Sequence, residues 1–172
     1  MKKAWIALVL GALLIGTMVG VVWARPSQSP QAADITRKIT IPGGFFSPTE
    51  DGYDWYNTGN HVRVDSGTGS FIAPVVFPCL PSVTVERVIL YADDQNGGAD
   101  ATAILTRTKP STGQLVMLGP VSSTGSAVGI RTFTSANINK VVWPAQGIHV
   151  RLFINGTNML VYGVTVEYHR NI

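Results

Sequence analysis

The stretch Val83 to Arg107, V-T-V-E-R-V-I-L-Y-A-D-D-Q-N-G-G-A-D-A-T-A-I-L-T-R, reads as strand, loop, strand, and the β-rich remainder repeats that grammar. Successive side chains of a strand point to opposite faces. Val83 and Val85 share one parity, whereas Val88 and Leu90 share the other. A β-bulge at Glu86-Arg87 would return the apolar set to one face. The alternative is a strand buried on both faces from Val88 to Tyr91. The loop Asp93 to Asp100 joins the two strands as a central hairpin in this reading.

Working outward from it, short strands recur. Ile39-Thr40-Ile41 is a first strand ended by Pro42-Gly43-Gly44. Residues 49–60, T-E-D-G-Y-D-W-Y-N-T-G-N, form an irregular acidic and aromatic loop. His61 to Asp65 alternates as a short strand. Phe71 to Pro81 carries three prolines in eleven residues. Proline donates no ladder hydrogen bond, so this segment is an edge or a crossover between sheets. Gln114 to Leu118, Ile130 to Thr134 and Val141 to Trp143 follow as strands, with a small-residue loop from Val121 to Gly129. Ile148, Val150, Leu152 and Ile154 share one face of a strand. Asn155-Gly156-Thr157-Asn158 reads as a hairpin turn, and Leu160, Tyr162, Val164, Val166 and Tyr168 share one face of the returning strand. Eight or more short strands at regular spacing, with no helical periodicity after residue 24, predict an all-β, antiparallel β-sandwich. The proline-rich crossovers favour a jelly-roll-like form.

The start of the chain has a different pattern. Lys2-Lys3 precedes an apolar run from Ala4 to Trp23, and Ala24 gives a small-residue exit. That is the pattern of a secretory signal, although about 20 apolar residues also suffice to span a bilayer as a helix. Residues 1–24 are therefore expected to be an apolar helix, either a signal peptide or an N-terminal membrane anchor. The domain is then secreted, or anchored with the domain outside, and meets membrane only through residues 4–24 if uncleaved. Residues 25–38, opening with R-P-S-Q-S-P-Q-A-A, form a Pro/Ser/Gln linker, and residues 39–172 form the β-sandwich domain.

Composition narrows the function classes. The sequence pI is 9.2, but Lys2 and Lys3 lie in the leader. Removing residues 1–24 leaves 11 basic and 10 acidic residues, a net charge of +1, and the basic residues are scattered singly. Nucleic-acid binding needs clustered charge, so no nucleic-acid partner is expected. Cys79 is the one cysteine, which excludes an intramolecular disulfide. Among apolar residues and prolines it reads as a small buried hydrophobe.

Several constellations are weighed for chemistry. Tyr53, Trp55 and Tyr56, with Asp51 and Asp54 beside them, match the aromatic-plus-carboxylate surface that binds sugars, where rings stack on pyranose faces and carboxylates accept hydroxyl hydrogens. The competing role for these rings is to cap one end of the core. Asp93, Asp94, Asn96 and Asp100 could supply oxygens to calcium, though the spacing is not that of an EF-hand; otherwise they serve turn geometry. Asp65-Ser66-Gly67-Thr68 matches a short aspartic-protease string, a chemistry that needs two aspartates sharing a proton. His61, His149 and His169 stand alone, and no hydrolase elbow, zinc helix or phosphate loop occurs. Asn155-Gly156-Thr157 is a glycosylation sequon.

The chain resembles uncharacterised exported bacterial proteins with a single jelly-roll-like β-sandwich domain. The likeness lies in Ile41-Pro42 with Phe46 and Pro48, in Ala73-Pro74-Val75 leading to Phe77-Pro78, and in Leu160, Tyr162-Gly163-Val164, Val166 and Tyr168. It implies a compact domain outside the cytoplasm and carries no catalytic residues. The resulting expectation is a non-catalytic extracytoplasmic β-sandwich acting by surface interaction, as a cell-envelope, adhesive or matrix component. Its partners would be a glycan or cell-surface polymer, or a second copy paired through sheet edges. A carbohydrate-binding module using Tyr53, Trp55 and Tyr56 is the first alternative, and a hydrolase is the second. No cofactor other than calcium is expected.

Overall fold

A computed structural model describes residues 35–78, 82–143 and 145–171. The leader at 1–24, most of the linker and Cys79 lie outside the described residues. The described residues belong to one compact unit, Asp34–Ile172. In sequence order its strands are β1 (Arg37–Pro42), β2 (Ser47–Pro48), β3 (Trp55–Asn57), β4 (Val62–Val64), β5 (Gly69–Pro74), β6 (Val83–Asp94), β7 (Ala101–Thr108), β8 (Leu115–Ser122), β9 (Ala127–Thr134), β10 (Lys140–Val142), β11 (Gly147–Ile154) and β12 (Met159–Arg170). The only helical element among the described residues is a single 3-10 turn at Gly43–Phe45. No described helix is long and apolar enough to cross a membrane.

The strands form two antiparallel sheets. In the five-stranded sheet the order is β2-β5-β11-β7-β8. In the seven-stranded sheet β6 and β12 are the central pair. β10 and β9 share the outer side of β6, β1 and β4 share the outer side of β12, and β3 pairs with β4. The inward faces meet in one core. Val62, Val83, Val85, Val88, Leu90, Met159, Val161, Val164 and Val166 come from the seven-stranded sheet, and Phe71, Ala103, Leu105, Val150, Leu152 and Ile154 from the other; all are fully buried. The all-β sandwich expectation holds.

Both hairpin expectations are corrected. β6 lies in the seven-stranded sheet and β7 in the five-stranded one, and β11 and β12 are divided the same way. Each pair is an arch crossing from sheet to sheet. The two arches lie side by side, with β6 on β12 and β7 on β11. Alternation alone cannot tell an arch from a hairpin, because each strand keeps one apolar face in both. The corner hydrogen bonds decide. Gln95 N donates to Asn158 O at 3.1 Å, and Asn155 N donates to Asp100 O at 3.2 Å. The loops at 95–100 and 155–158 therefore bond to each other. The proline-rich segment behaves as expected: β5 belongs to the five-stranded sheet, and the polypeptide then passes to β6 in the other. Phe77 packs edge-on against Tyr168 on that route, with ring centroids 4.9 Å apart.

The bulge in β6 is present. Val85 pairs with Tyr168 and Arg87 with Glu167, which leaves Glu86 as the extra residue. Val83 and Val85 before it, and Val88 and Leu90 after it, all reach the core. Ile89 on the opposite face is also nearly buried, so the two readings of this strand are both partly true. β12 carries a second bulge. Val161 pairs with Ala92 and Gly163 with Tyr91, so Tyr162 is extra. This corrects the expected face of β12. Val164, Val166 and Tyr168 face the core as expected, but Val161 and Met159 replace Tyr162 and Leu160 there.

Deletion of Glu86 would turn Val83 and Val85 outward. At about 1.5–3 kcal/mol per valine side chain, it should lower stability by roughly 3–6 kcal/mol. Glu86→Ala keeps the residue count and should cost less than about 1.5 kcal/mol, the loss of its hydrogen bonds. Urea unfolding of both variants measures the difference.

Candidate functional site

The bulge at Tyr162 builds one surface. Arg63 stands between the buried Val62 and Val64, and Leu160 between the buried Met159 and Val161, so both point away from the core. Val62 pairs with Val161, which sets Arg63 opposite Leu160 one step along. Tyr56 pairs with Arg63 on the other side, and the Arg63 guanidinium lies over the Tyr56 ring, 5.2 Å from its centroid. Tyr162 joins the same outer face, and its ring meets that of His61 at 5.5 Å. A strip of two tyrosines, an imidazole and a guanidinium therefore crosses β3, β4 and β12.

Beside this strip is a shallow pocket of about 360 Å³ lined by Arg63, Val64, Asp65, Gln95, Thr157, Asn158 and Leu160. Arg63 Nε lies 2.8 Å from Asp65 Oδ1, with both side chains nearly half exposed. Such a pair adds little stability, and it leaves fixed donors and acceptors at the surface. The two arch corners supply the remaining wall. Further along the outer face, Lys38 meets Glu167 at 2.8 Å, and the hydrogen bond to that carboxylate holds the Lys38 ammonium above its usual pKa.

The sequence-selected aromatic group divides. Trp55 and Tyr56 are consecutive residues of β3, so they take opposite faces. Trp55 and Tyr53 both meet the buried Phe71 ring edge-on, each with centroids 5.8 Å away, and the Tyr53 hydroxyl donates to Ser70 O. Tyr53 therefore caps the core between the sheets, and Trp55 is 37% exposed beside it. Tyr56, 52% exposed, is the member that reaches the outer strip. Trp55 and Tyr56 are also fixed in a strand, where an irregular loop was expected. Asp51 and Asp54 are exposed, and Asp54 Oδ2 accepts from Ser66 Oγ at 3.3 Å. Asp65, expected to matter only in a protease string, instead pairs with Arg63. Arg63, Gln95 and Asn158 carry no site signal in the sequence, and Leu160 reads there as a core-facing residue. Their nearest signal was the parity of β12, which a bulge-free reading reverses.

The oxygen-rich loop is arranged around the protein's own donors. Asp93 and Asp94 are neighbours in a strand and point to opposite faces. Asp93 Oδ1 accepts from Gln95 Nε2 at 3.2 Å and from Gly129 N at 3.1 Å. Asp94 is wholly buried; Ser123 Oγ donates to its Oδ2 at 2.5 Å and Asn96 N to its Oδ1 at 3.0 Å. Ser123 Oγ also accepts from Ala101 N at 2.9 Å, so the carboxylate ties β6 to both β7 and the end of β8. Asn96 turns its amide to Thr157 O and Gly98 N, and the Asp100 side chain is not brought to them by any described contact. Among the described residues no three His, Cys, Asp or Glu side chains are grouped to hold a metal ion.

No family model and no curated protein matches this sequence. Several solved structures are similar in fold. CsCBM6-3 from Clostridium stercorarium, solved with cellobiose, has 17% identity over 73% of this chain and 90% of its own, at a TM-score of 0.46. The C-terminal CBM6 of LamC, from Zobellia galactanivorans, has 13% identity over 76% of this chain and 98% of its own, at 0.47. A family two carbohydrate esterase from Cellvibrio japonicus has 13% identity over 78% of this chain and 35% of its own, at 0.42. Likeness at this level concerns the sandwich architecture and does not extend to function.

Asp94→Ala removes a buried acceptor and strands two donors. It should destabilise the domain by roughly 2–4 kcal/mol, measured by urea unfolding, with Asp93→Ala costing clearly less because Asp93 lies nearer solvent.

Proposed function

We propose that this protein binds carbohydrate without transforming it, through the outer face of the seven-stranded sheet. The observation that supports this is a shallow depression lined by the Arg63–Asp65 pair, Gln95 and Asn158, with the Tyr56 ring beneath the Arg63 guanidinium at its edge and Tyr162 further along the same outer face. Sugar rings present an apolar C–H face and a rim of paired hydroxyls. A tyrosine face stacks on the first, and fixed guanidinium, carboxylate and amide groups bond the second. The depression is within the usual range of ligand sites, about 300–1,000 Å³, and its openness to solvent suits a polymer that runs past rather than one that is enclosed. This is a specific form of non-catalytic surface interaction, and a glycan or cell-surface polymer is its partner. Tyr56 is retained from the sequence-selected aromatic group as a ligand residue, while Tyr53 and Trp55 serve the core.

Screening on a glycan array, followed by titration calorimetry on the best ligand, tests the reading. Tyr56→Ala and Arg63→Ala should each weaken binding about tenfold or more, or at least about 1.4 kcal/mol, with little change in melting. Trp55→Ala should lower melting and leave the affinity of the folded fraction nearly unchanged. An array without hits, or affinity lost in Trp55→Ala and kept in Tyr56→Ala, would reject this site.

A further inference from the structure

Two Asn-Gly pairs, Asn96-Gly97 and Asn155-Gly156, sit in the two arch corners that bond to each other. An Asn side chain followed by glycine is prone to cyclise, because glycine places no side chain in the way of its own amide nitrogen and leaves the backbone free to turn. The two pairs are held very differently. Asn96 Oδ1 accepts from Gly98 N at 3.0 Å, and Asn96 Nδ2 donates to Thr157 O at 3.1 Å. Its amide is therefore fixed at both ends. Asn155 is exposed, and its side chain makes no hydrogen bond with any described residue. Gly156 is closely packed: a Cβ there would lie 2.8 Å from Asn96 Nδ2 and 3.2 Å from Ala99 Cβ, so a larger residue would press on the hydrogen-bonded Asn96 amide. The close approach of the corners thus favours the labile neighbour on Asn155 while holding the Asn96 amide in place.

We propose that Asn155-Gly156 is a self-modification site whose conversion to isoaspartate loosens the joined corners. The Gly156 amide nitrogen, losing its proton, attacks Asn155 Cγ. A new bond from that nitrogen to Cγ closes the ring, the bond between Cγ and Nδ2 breaks, and Nδ2 leaves as ammonia. One water then opens the cyclic imide at either carbonyl, giving aspartate or isoaspartate at 155; no oxidant or reductant is needed. Isoaspartate routes the backbone through its β-carbon and lengthens it just before the wedged Gly156. Three bonds join the corners next to that point: Asn155 N to Asp100 O, Asn96 Nδ2 to Thr157 O and Gln95 N to Asn158 O. Gln95, Thr157 and Asn158 also line the outer-face pocket, so the conversion alters the pocket wall whatever the pocket binds.

The test incubates the full-length protein, folded and in urea, at mildly alkaline pH and physiological temperature, with peptide mapping and enzymatic methyl-labelling of isoaspartate. In urea both sites should convert at comparable rates. In the folded protein Asn155 should convert about tenfold or more faster than Asn96, the ratio given by about 1.4 kcal/mol of barrier. The aged wild type should melt roughly 3–8 °C lower than the fresh protein, as expected for losing one or two hydrogen bonds. Asn155→Gln, which would have to close a larger ring, should keep its melting temperature. Asn155 surviving intact in the folded protein while it converts in urea overturns the proposal. So does conversion at 155 with unchanged melting. If no glycan is bound at all, mapping and melting still decide the matter.

Discussion

The pairing of β6 with β12 is the constraint on which the rest depends. Each of these twelve-residue strands carries one extra residue, Glu86 on β6 and Tyr162 on β12. The extra residues fall at different ladder positions, so the two strands are out of step only between them. Through that middle section Val88 and Leu90 face the core opposite Val166 and Val164. Outside it, Val83 and Val85 at one end, and Val161 and Met159 at the other, are still turned inward. A single bulge on one strand would have expelled one end of its apolar set. Two on opposite strands keep every valine in the core and add local twist to the central pair.

That pairing also decides how the sheets are joined. β6 and β12 each run out at a corner where the polypeptide crosses to the five-stranded sheet, and β7 and β11 start or end there as neighbours. With both corners at one end, their loops fill each other's hydrogen-bonding needs, and Asp94 sits underneath as the buried acceptor for Ser123 and Asn96. A buried carboxylate is costly unless its oxygens are occupied, and here one occupying group, Asn96 N, comes from the same corner and the other, Ser123 Oγ, from the end of β8. The cost of leaving them unpaired helps to specify which strands meet.

Much of this architecture was legible in the sequence. The valine parity switch located the Glu86 bulge, and three prolines between Phe71 and Pro81 marked a change of sheet. What periodicity could not supply was the partner of each strand. Ile148–Ile154 and Leu160–Tyr168 show the alternation of a hairpin because an arch demands the same alternation, and Asn155-Gly156 looks like a tight turn in either. The Tyr162 bulge was hidden for a related reason. Leu160, Tyr162, Val164 and Val166 form an unbroken apolar series, so nothing in residue type reveals that the first two have changed face; Met159 and Val161, equally apolar, form the competing series. The carboxylates of the Asp93–Asp100 loop were visible as composition, but strand alternation between Asp93 and Asp94 sends them apart.

The same ambiguity explains why the candidate site was only partly read. Its residues are not a motif. Tyr56 and Arg63 face each other across β3 and β4, Leu160 and Tyr162 arrive from about a hundred residues later by way of a bulge, and Gln95 and Asn158 come from two corners that meet only once the arches stack. A binding face assembled from cross-strand neighbours leaves no local signature, because neighbours across a ladder are distant in sequence. The one member that sequence reasoning did find, Tyr56, was found beside Trp55, whose ring the strand turns inward against Phe71. Adjacent aromatic residues in a strand serve two surfaces, one packing the core and the other facing solvent. Composition locates such a pair; the core's claim on one ring determines that the other faces solvent.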